Sequence, residues 1–138
     1  MIEFNYQTKF RLEKETLYRD WIRQGIELYG SELGEINYFF YSDDDLLEIN
    51  IKHLNHNTYT DIISFDYTVG NIISGDICIS IDRVKENAKQ FSSGFTDELA
   101  RVMSHGVLHF LGYKDKTEEE KIKMRNNEDV FIKLLKNS

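Results

Sequence analysis

The feature that most constrains the fold of this chain is the segment 105–115, which reads His-Gly-Val-Leu-His-Phe-Leu-Gly-Tyr-Lys-Asp. On a helix, His105 and His109 project from the same side, because about 3.6 residues per turn bring positions i and i+4 into line. Gly112 permits the left-handed conformation that ends a helix, and the chain can then fold back so that Asp115 faces the two imidazoles. Two imidazoles and one carboxylate, with a fourth position open, suit a hydrolytic metal ion, most readily zinc.

The same spacing occurs in the metzincin pattern H-E-x-x-H-x-x-G-x-x-H of zinc peptidases, with two substitutions. Asp115 replaces the third His, and Gly106 stands where a peptidase carries its catalytic Glu. A peptidase needs that carboxylate to take up and return the proton of the attacking water. The segment therefore predicts a metal site that lacks the base for ordinary peptide hydrolysis.

Two other interpretations of the segment stay open at this point. In the first, it is a core helix whose His residues bond to backbone carbonyls, and Asp115 merely opens the last helix. Thr117 already fits the N-cap of that helix, so Asp115 is not needed there. In the second, the ligand set is the facial triad of non-haem iron(II) oxygenases, although those sites generally sit on β-barrel strands with a different ligand order.

Composition is that of an ordinary soluble globular protein, with 41% hydrophobic and 30% charged residues. The length predicts one domain over residues 1–138. No apolar run approaches the roughly 20 residues that span a bilayer, so we expect no membrane association. The N-terminus carries no export signal, and the single cysteine, Cys78, cannot form an internal disulfide. These features favour a cytoplasmic location.

The net charge of −7 argues mildly against nucleic acid as a partner, because phosphate binding usually depends on a basic surface. Binding responds to the local field of a cleft rather than to a global sum. A bound divalent metal ion also adds positive charge that a residue count omits. The acidic balance therefore leaves RNA among the possible substrates.

Hydrophobic periodicity predicts four strands and about five helices. The strands are residues 2–6, 36–41, 62–67 and 76–81. The first helix ends at Gly30, and the others begin at caps or apolar repeats near Ser42, Val84, Thr96 and Thr117, the last with Glu120 in a capping box. The predicted inner faces are Leu47, Ile51 and Leu54 on the second helix and Met124, Val130, Phe131, Leu134 and Leu135 on the last. This order predicts an α+β (α/β-like) fold with a single four-stranded mixed sheet flanked by about five helices. The predicted metal site is expected on a central helix and the following turn.

Three motifs occur in a fixed order along the chain. Residues 50–65 end Thr-Asp-Ile-Ile-Ser-Phe, residues 75–80 read Gly-Asp-Ile-Cys-Ile-Ser, and residues 105–115 are the segment described above. These resemble N-x-x-[YF]-R-x-x-x-x-x-T-D-V-L-S-F, G-D-[IL]-x-I-S and H-G-x-L-H-L-x-G-Y-D-H of the YbeY family of bacterial metal-dependent endoribonucleases. The resemblance implies an RNA-cleaving enzyme linked to ribosomal RNA maturation.

The resemblance also implies roles for individual residues. His105 and His109 are the first two metal ligands, and the family's third, a His, falls on Asp115. Carboxylate oxygen is a normal zinc ligand, and its charge should make the bound water somewhat less acidic than in a three-His site. Asp61 and Ser64 are weak catalytic candidates on a cleft-lining strand, or equally well polar positions on a half-buried strand. Beyond a metal-bound water, no residue is assigned as the general base.

The family's substrate-facing arginine falls on Leu54 in this chain. Nearby positive charge would come from Lys52, His53 or His56, which are equally well solvated surface residues. Arg83, Lys85 and Lys89 form either a weak RNA-facing patch or, as the interleaved acids favour, a solvated helix face. Cys78 is expected to be a small buried residue rather than a nucleophile.

The leading hypothesis is a zinc-dependent single-strand endoribonuclease acting in ribosomal RNA maturation and ribosome biogenesis. It would hold one Zn²⁺ or another divalent metal per chain and cleave phosphodiester bonds with a metal-activated water. The expected partners are single-stranded or ribosomal RNA and the ribosome or ribosomal proteins. The alternative, motivated by the acidic balance and Leu54, is a ribosome-assembly factor with a structural metal and little or no catalysis. A metallohydrolase for peptides or small molecules is disfavoured by Gly106.

Overall fold

Nine secondary-structure elements make up the chain, whose residues 1–138 are all described by this computed structural model. The strands are β1 (Ile2–Tyr6), β2 (Glu32–Tyr41), β3 (Ile62–Asp66) and β4 (Ile72–Ser80). The helices are α1 (Glu15–Leu28), α2 (Asp43–Leu54), α3 (Ile81–Gln90), α4 (Phe95–Phe110) and α5 (Glu118–Lys136). None of these helices combines the length and the apolar character needed to cross a membrane.

The strands form a single mixed sheet in the order β1-β2-β4-β3. β2 runs parallel to both β1 and β4, whereas β3 runs antiparallel to β4. The start of β3 therefore lies beside the end of β4, where the Ser80 amide donates to the Asp61 carbonyl at 2.9 Å. This arrangement confirms the predicted fold class of one four-stranded mixed sheet with five flanking helices.

The larger core lies between one face of the sheet and α1, α3, α4 and α5. Two buried aromatic residues tie the layers together with hydrogen bonds as well as apolar area. The Trp21 indole N–H donates to the Phe131 carbonyl at 2.7 Å and so joins α1 to α5. The Tyr38 hydroxyl donates to the Met103 carbonyl at 3.0 Å and anchors α4 on β2. The helix that carries the two histidines is thereby fixed between the sheet and α5.

The opposite face of the sheet is covered by α2, where Leu46 packs with Ile63 and Cys78 in a small second core. Cys78 alternates with Ile77 and Ile79, which point into the larger core. Burial raises the pKa of the Cys78 thiol to about 12, with a smaller contribution from the charge of Asp76. The thiol is protonated at neutral pH, as expected of a small buried residue rather than a nucleophile.

The parallel strands are longer than their periodicity indicates. β2 begins at Glu32 rather than at residue 36, and β4 begins at Ile72 rather than at residue 76. Gly34 and Gly75 lower the strand propensity of these stretches, yet each stretch pairs with the other. The pairing register shifts between Leu33 and Ile36, where β2 has one residue more than the paired stretch of β4. Tertiary pairing therefore outweighs local propensity here.

The helix caps are partly as predicted. Ser42 accepts a hydrogen bond from the Asp45 amide, and Thr117 and Glu120 form the reciprocal capping box. The prediction that Thr96 caps α4 is wrong, because the N-cap is Gly94 and no side chain caps this end. The first helical hydrogen bond of α4 begins at Gly94, because the Glu98 amide donates to the Gly94 carbonyl at 3.0 Å.

The inner face of α2 is rotated from the predicted one. Leu46 and Asn50 are buried, whereas Ile51 and Leu54 are each 44% exposed. The Asn50 side-chain amide donates to the Thr58 carbonyl at 2.8 Å, and this bond holds the polar side chain inward. The burial of Leu46 and a hydrogen bond to the following loop, which periodicity cannot reveal, accompany this orientation of the helix.

Candidate metal centre

The structure brings His105, His109 and Asp115 together at the end of α4. The two Nε2 atoms lie 3.0 Å apart, and Asp115 Oδ2 lies 3.1 Å from Nε2 of His105 and 3.4 Å from Nε2 of His109. Nitrogen and oxygen ligands about 2.0–2.1 Å from one tetrahedral zinc ion are about 3.3 Å from each other. The three side chains therefore fit a single divalent ion and leave one coordination position open.

The end of α4 produces this arrangement by local geometry. Gly112 has a φ of +102°, a conformation that glycine adopts without steric cost. The amide of Gly112 donates to the His109 carbonyl and the amide of Tyr113 donates to the Leu108 carbonyl, both at 3.0 Å. These two bonds form a Schellman motif, which reverses the chain and brings Asp115 back towards the helix.

Hydrogen bonds on the far side of each imidazole fix its tautomer. His109 Nδ1 lies 3.0 Å from the carbonyl oxygen of Tyr113, which can only accept, so this nitrogen carries a proton. His105 Nδ1 lies 2.6 Å from a carboxylate oxygen of Glu128 and is the donor there. In the neutral rings both Nε2 atoms then present lone pairs towards Asp115. Three electron-pair donors that face each other at this distance suit a cation between them.

Glu128, on α5, is the residue behind His105, and sequence reasoning missed it. It is 6% exposed and also accepts a hydrogen bond from Arg101 Nη1 at 2.9 Å, while Arg101 Nη2 binds Asp129 at 2.8 Å. Burial lowers the pKa of His105, but the hydrogen bond and charge of Glu128 outweigh this effect, so the pKa lies above its ordinary value. A carboxylate that orients a ligating imidazole is a common feature of protein metal sites.

A signal for Glu128 was present in the sequence. Met124, Glu128 and Phe131 follow each other at helical spacing, and all three are buried on the inner face of α5. The predicted face contained Val130 in place of Glu128, and this assignment is wrong because Val130 is 41% exposed. A carboxylate within an apolar stripe indicates a buried partner.

A polar cleft of about 480 Å³ opens beside the three ligands. Asp61 and Ser64, the two weak catalytic candidates, both line it on the wall opposite α4 and α5. Asn87 of α3 donates to Asp61 Oδ2 at 3.4 Å. Burial raises the pKa of the Asp61 carboxyl, and the charge of His105 acts in the opposite direction. The two candidates therefore share a water-accessible space with the ligands.

Positive charge in the cleft comes from residues that the sequence did not indicate. Arg101 and Arg125 line it, whereas Leu54 and the neighbouring cations of α2 do not. Arg83 binds Asp43 at 2.7 Å outside the cleft, so the patch considered for α3 does not reach the ligands.

Gly106 faces away from the cleft and packs against the sheet. A Cβ atom at this position would lie 2.9 Å from Cδ1 of Ile77 and 3.2 Å from Cδ1 of Ile62. A longer side chain here would collide with Ile77 and Ile62 of the sheet. The absence of a peptidase base is thus built into the packing of α4.

The fold and the cluster define the class: a small α+β protein with a site suited to one divalent metal ion beside a polar cleft. The family described as Endoribonuclease YbeY matches residues 2–136. The endoribonuclease YbeY of Flavobacterium johnsoniae is 53% identical over 132 residues, which are 96% of this chain and 95% of the relative. That of Flavobacterium psychrophilum is 52% identical over 134 residues, 97% of this chain and 96% of the relative.

The chain therefore belongs to the YbeY family. This membership confirms the resemblance seen in the three motifs and the expectation of an enzyme of the hydrolase class. A solution structure of a protein from Thermotoga maritima has the same fold, with a TM-score of 0.71 at 22% identity. The match covers 98% of this chain and 89% of that one.

Proposed function

We propose that this chain is a metal-dependent endoribonuclease that cleaves single-stranded RNA, with one Zn²⁺ held by His105, His109 and Asp115. The observation that supports it most is the pair of fixed tautomers, which direct both Nε2 lone pairs towards the Asp115 carboxylate. Family membership supports RNA as the substrate, because the relatives are named as endoribonucleases.

When bound, zinc polarises a phosphoryl oxygen and makes a water molecule more acidic. Glu128 and the Tyr113 carbonyl hold the two imidazoles in the ligating orientation. Asp61, whose pKa is raised by burial, accepts a proton from the water that attacks phosphorus and returns it to the ribose oxygen that leaves as its bond to phosphorus breaks. Ser64, whose side chain has no hydrogen-bond partner within the chain, donates to a phosphate oxygen of the substrate.

The cellular part of the proposal follows from the family. We infer that the substrate is ribosomal RNA, that the enzyme acts in ribosome biogenesis, and that the ribosome or ribosomal proteins are its partners. Residues 1–138 would act as one domain in the cytoplasm, where the unpaired Cys78 stays reduced.

Cleavage of single-stranded RNA by the purified protein tests the proposal. We expect cleavage that a chelator abolishes and that added Zn²⁺ restores. His109→Ala should abolish it as well, whereas His56→Ala, which removes an exposed imidazole outside the cleft, should leave it unchanged. Undiminished cleavage by His109→Ala would refute the proposal.

One observation favours the second candidate, a ribosome-assembly factor with a structural metal. Besides Asp115, the residues Asp61, Glu98 and Glu128 place three more carboxyl groups in the cleft, and ionised carboxylates repel phosphate. Burial raises the pKa of Glu98, which weakens this repulsion. Ribosome association that survives His109→Ala, in a protein without metal-dependent cleavage, would establish this candidate instead.

A further inference from the structure

The rim of the cleft carries one phenyl ring that the proposed chemistry does not use. Phe91 follows the last residue of α3 and is 62% exposed. The helix ends here because Ser92 takes a left-handed φ of +53°. Of the large apolar side chains that the chain exposes, Phe91 is the one that lines the cleft. The ring is therefore open to a ligand beside the metal ligands.

A second cavity of about 190 Å³ adjoins the cleft at this point. Phe91, Arg101 and Arg125 line both cavities, and the second one continues to Lys136. The path thus leads from the ligand cluster, past the exposed ring, to one further cation, Lys136, which pairs with Asp97 at 3.7 Å, and Glu98 lines both cavities.

The two arginines on this path differ in availability. Arg101 donates to Glu128 and Asp129 at 2.9 and 2.8 Å, so its guanidinium is neutralised. Arg125 is exposed and forms no hydrogen bond or ion pair with any side chain of the protein. Its five N–H donors are free to bind an oxyanion.

An exposed aromatic ring and a free guanidinium that line the same two cavities match the two parts of a nucleotide. Bases of single-stranded RNA stack on aromatic side chains, and arginine binds phosphate through parallel N–H donors. A base within a duplex is already stacked on its neighbours and cannot occupy the ring. The pair therefore favours single-stranded over double-stranded RNA.

We propose that Phe91 and Arg125 form a nucleotide subsite beside the metal centre, in which a base of single-stranded RNA stacks on Phe91 and the adjoining phosphate binds Arg125. This inference rests on the proposed endoribonuclease function. It identifies the part of the substrate that flanks the bond to be cleaved.

Binding can be measured without cleavage through Phe91→Trp. The chain has a single Trp, the buried Trp21, so a new indole at the rim reports on its own surroundings. A short single-stranded oligoribonucleotide with 2′-O-methyl groups should quench this fluorescence saturably. The same oligonucleotide without its bases should bind about tenfold more weakly and cause no quenching. Equal affinity for both oligonucleotides, or no quenching by either, would overturn the proposal.

Steady-state kinetics on an unmodified single-stranded RNA distinguish stacking of a base on the Phe91 ring from a nonspecific apolar contact. Phe91→Leu should raise KM by about tenfold with kcat within about twofold, and Phe91→Trp should restore the wild-type KM. Tyr67→Leu, which removes an equally exposed ring outside the cleft, is the matched control and should change neither constant. An unchanged KM for Phe91→Leu would contradict the subsite.

Salt dependence tests the arginine. Arg125→Gln should reduce the slope of log affinity against log salt by about one, the value for one phosphate contact. Arg23→Gln, on the exposed surface of α1, should leave the slope unchanged. An unchanged slope in Arg125→Gln would remove Arg125 from the subsite.

The outcomes for the subsite and for the enzyme are separable. Metal-dependent cleavage that is insensitive to Phe91→Leu would overturn the subsite and leave the proposed function intact. Base-dependent quenching of Phe91→Trp in a protein that cleaves no RNA would overturn the proposed function and leave the nucleotide-binding subsite intact.

Discussion

The two walls of the cleft differ in how firmly their polar groups are held. On the ligand wall, formed by α4 and α5, each imidazole has a fixed partner in Glu128 or in the Tyr113 carbonyl. On the facing wall, Asp61 accepts a long 3.4 Å bond from the side chain of Asn87 on another element, and the Ser64 hydroxyl has no partner within the chain. A metal site needs ligands fixed in advance, whereas substrate-binding groups need free hydrogen-bonding capacity. In the proposed function, the ligand wall holds the cation and the facing wall binds the substrate.

Removing a proposed metal ligand should cause the largest loss, and the quantity lost is the affinity for Zn²⁺. Asp115→Ala takes away the carboxylate of the cluster and leaves the two imidazoles. We expect the affinity for Zn²⁺ to fall by more than about 100-fold, beyond what loss of a supporting residue causes. Competition with a chromophoric chelator measures this affinity. Lys116→Ala, at the exposed neighbouring position, should retain the wild-type affinity for Zn²⁺. Equal losses of affinity in both variants would contradict the assignment of metal binding to the ligand wall.

On the facing wall, Asp61→Asn should affect turnover and not the metal. The amide cannot accept a proton, so kcat should fall on the order of 100-fold, as is typical when a general base is lost. Metal content, measured by elemental analysis, should stay unchanged. Asp66→Asn, at the exposed far end of β3, should behave like the wild type. Loss of metal in Asp61→Asn would place this residue on the ligand wall instead.

Glu128→Gln should weaken metal binding by about tenfold, the lower end of the range for a residue that orients a ligand, because the amide oxygen can still accept from His105. Chelator competition again provides the measurement. Asp129→Asn is the matched control, since Asp129 binds the same Arg101 at 2.8 Å but does not touch His105. If Asp129→Asn caused the same loss, Arg101 rather than Glu128 would be the important group.

The smallest effect is expected for Ser64→Ala. Loss of one hydrogen bond to the substrate should lower kcat/KM by about fivefold. The free energy of unfolding should change by less than about 0.5 kcal/mol, because this hydroxyl bonds to nothing in the folded chain. Steady-state kinetics and denaturant unfolding give the two values. A large decrease in the free energy of unfolding would show that the Ser64 hydroxyl is bonded within the folded chain and is not available to the substrate.

The same contrast explains what could be predicted from the sequence. The three proposed ligands lie within eleven consecutive residues, and one helical turn plus the left-handed Gly112 sets their geometry, so local rules predicted that all three side chains come together. Glu128 lies 23 residues beyond His105, and their contact depends on the packing of α5 against α4. Periodicity likewise did not orient α2, where Asn50 is buried and bonded to the Thr58 carbonyl in the following loop. Local patterns therefore found the ligands, and tertiary packing determined their support.

The central claim is that His105, His109 and Asp115 hold one divalent ion. Elemental analysis of freshly purified protein after exhaustive dialysis, compared with the triple variant His105→Ala, His109→Ala and Asp115→Ala, tests it most directly. We expect about one zinc or equivalent divalent ion per chain in the wild type and none in the variant. A folded wild-type protein that retains no ion, or a triple variant that retains as much, would contradict it.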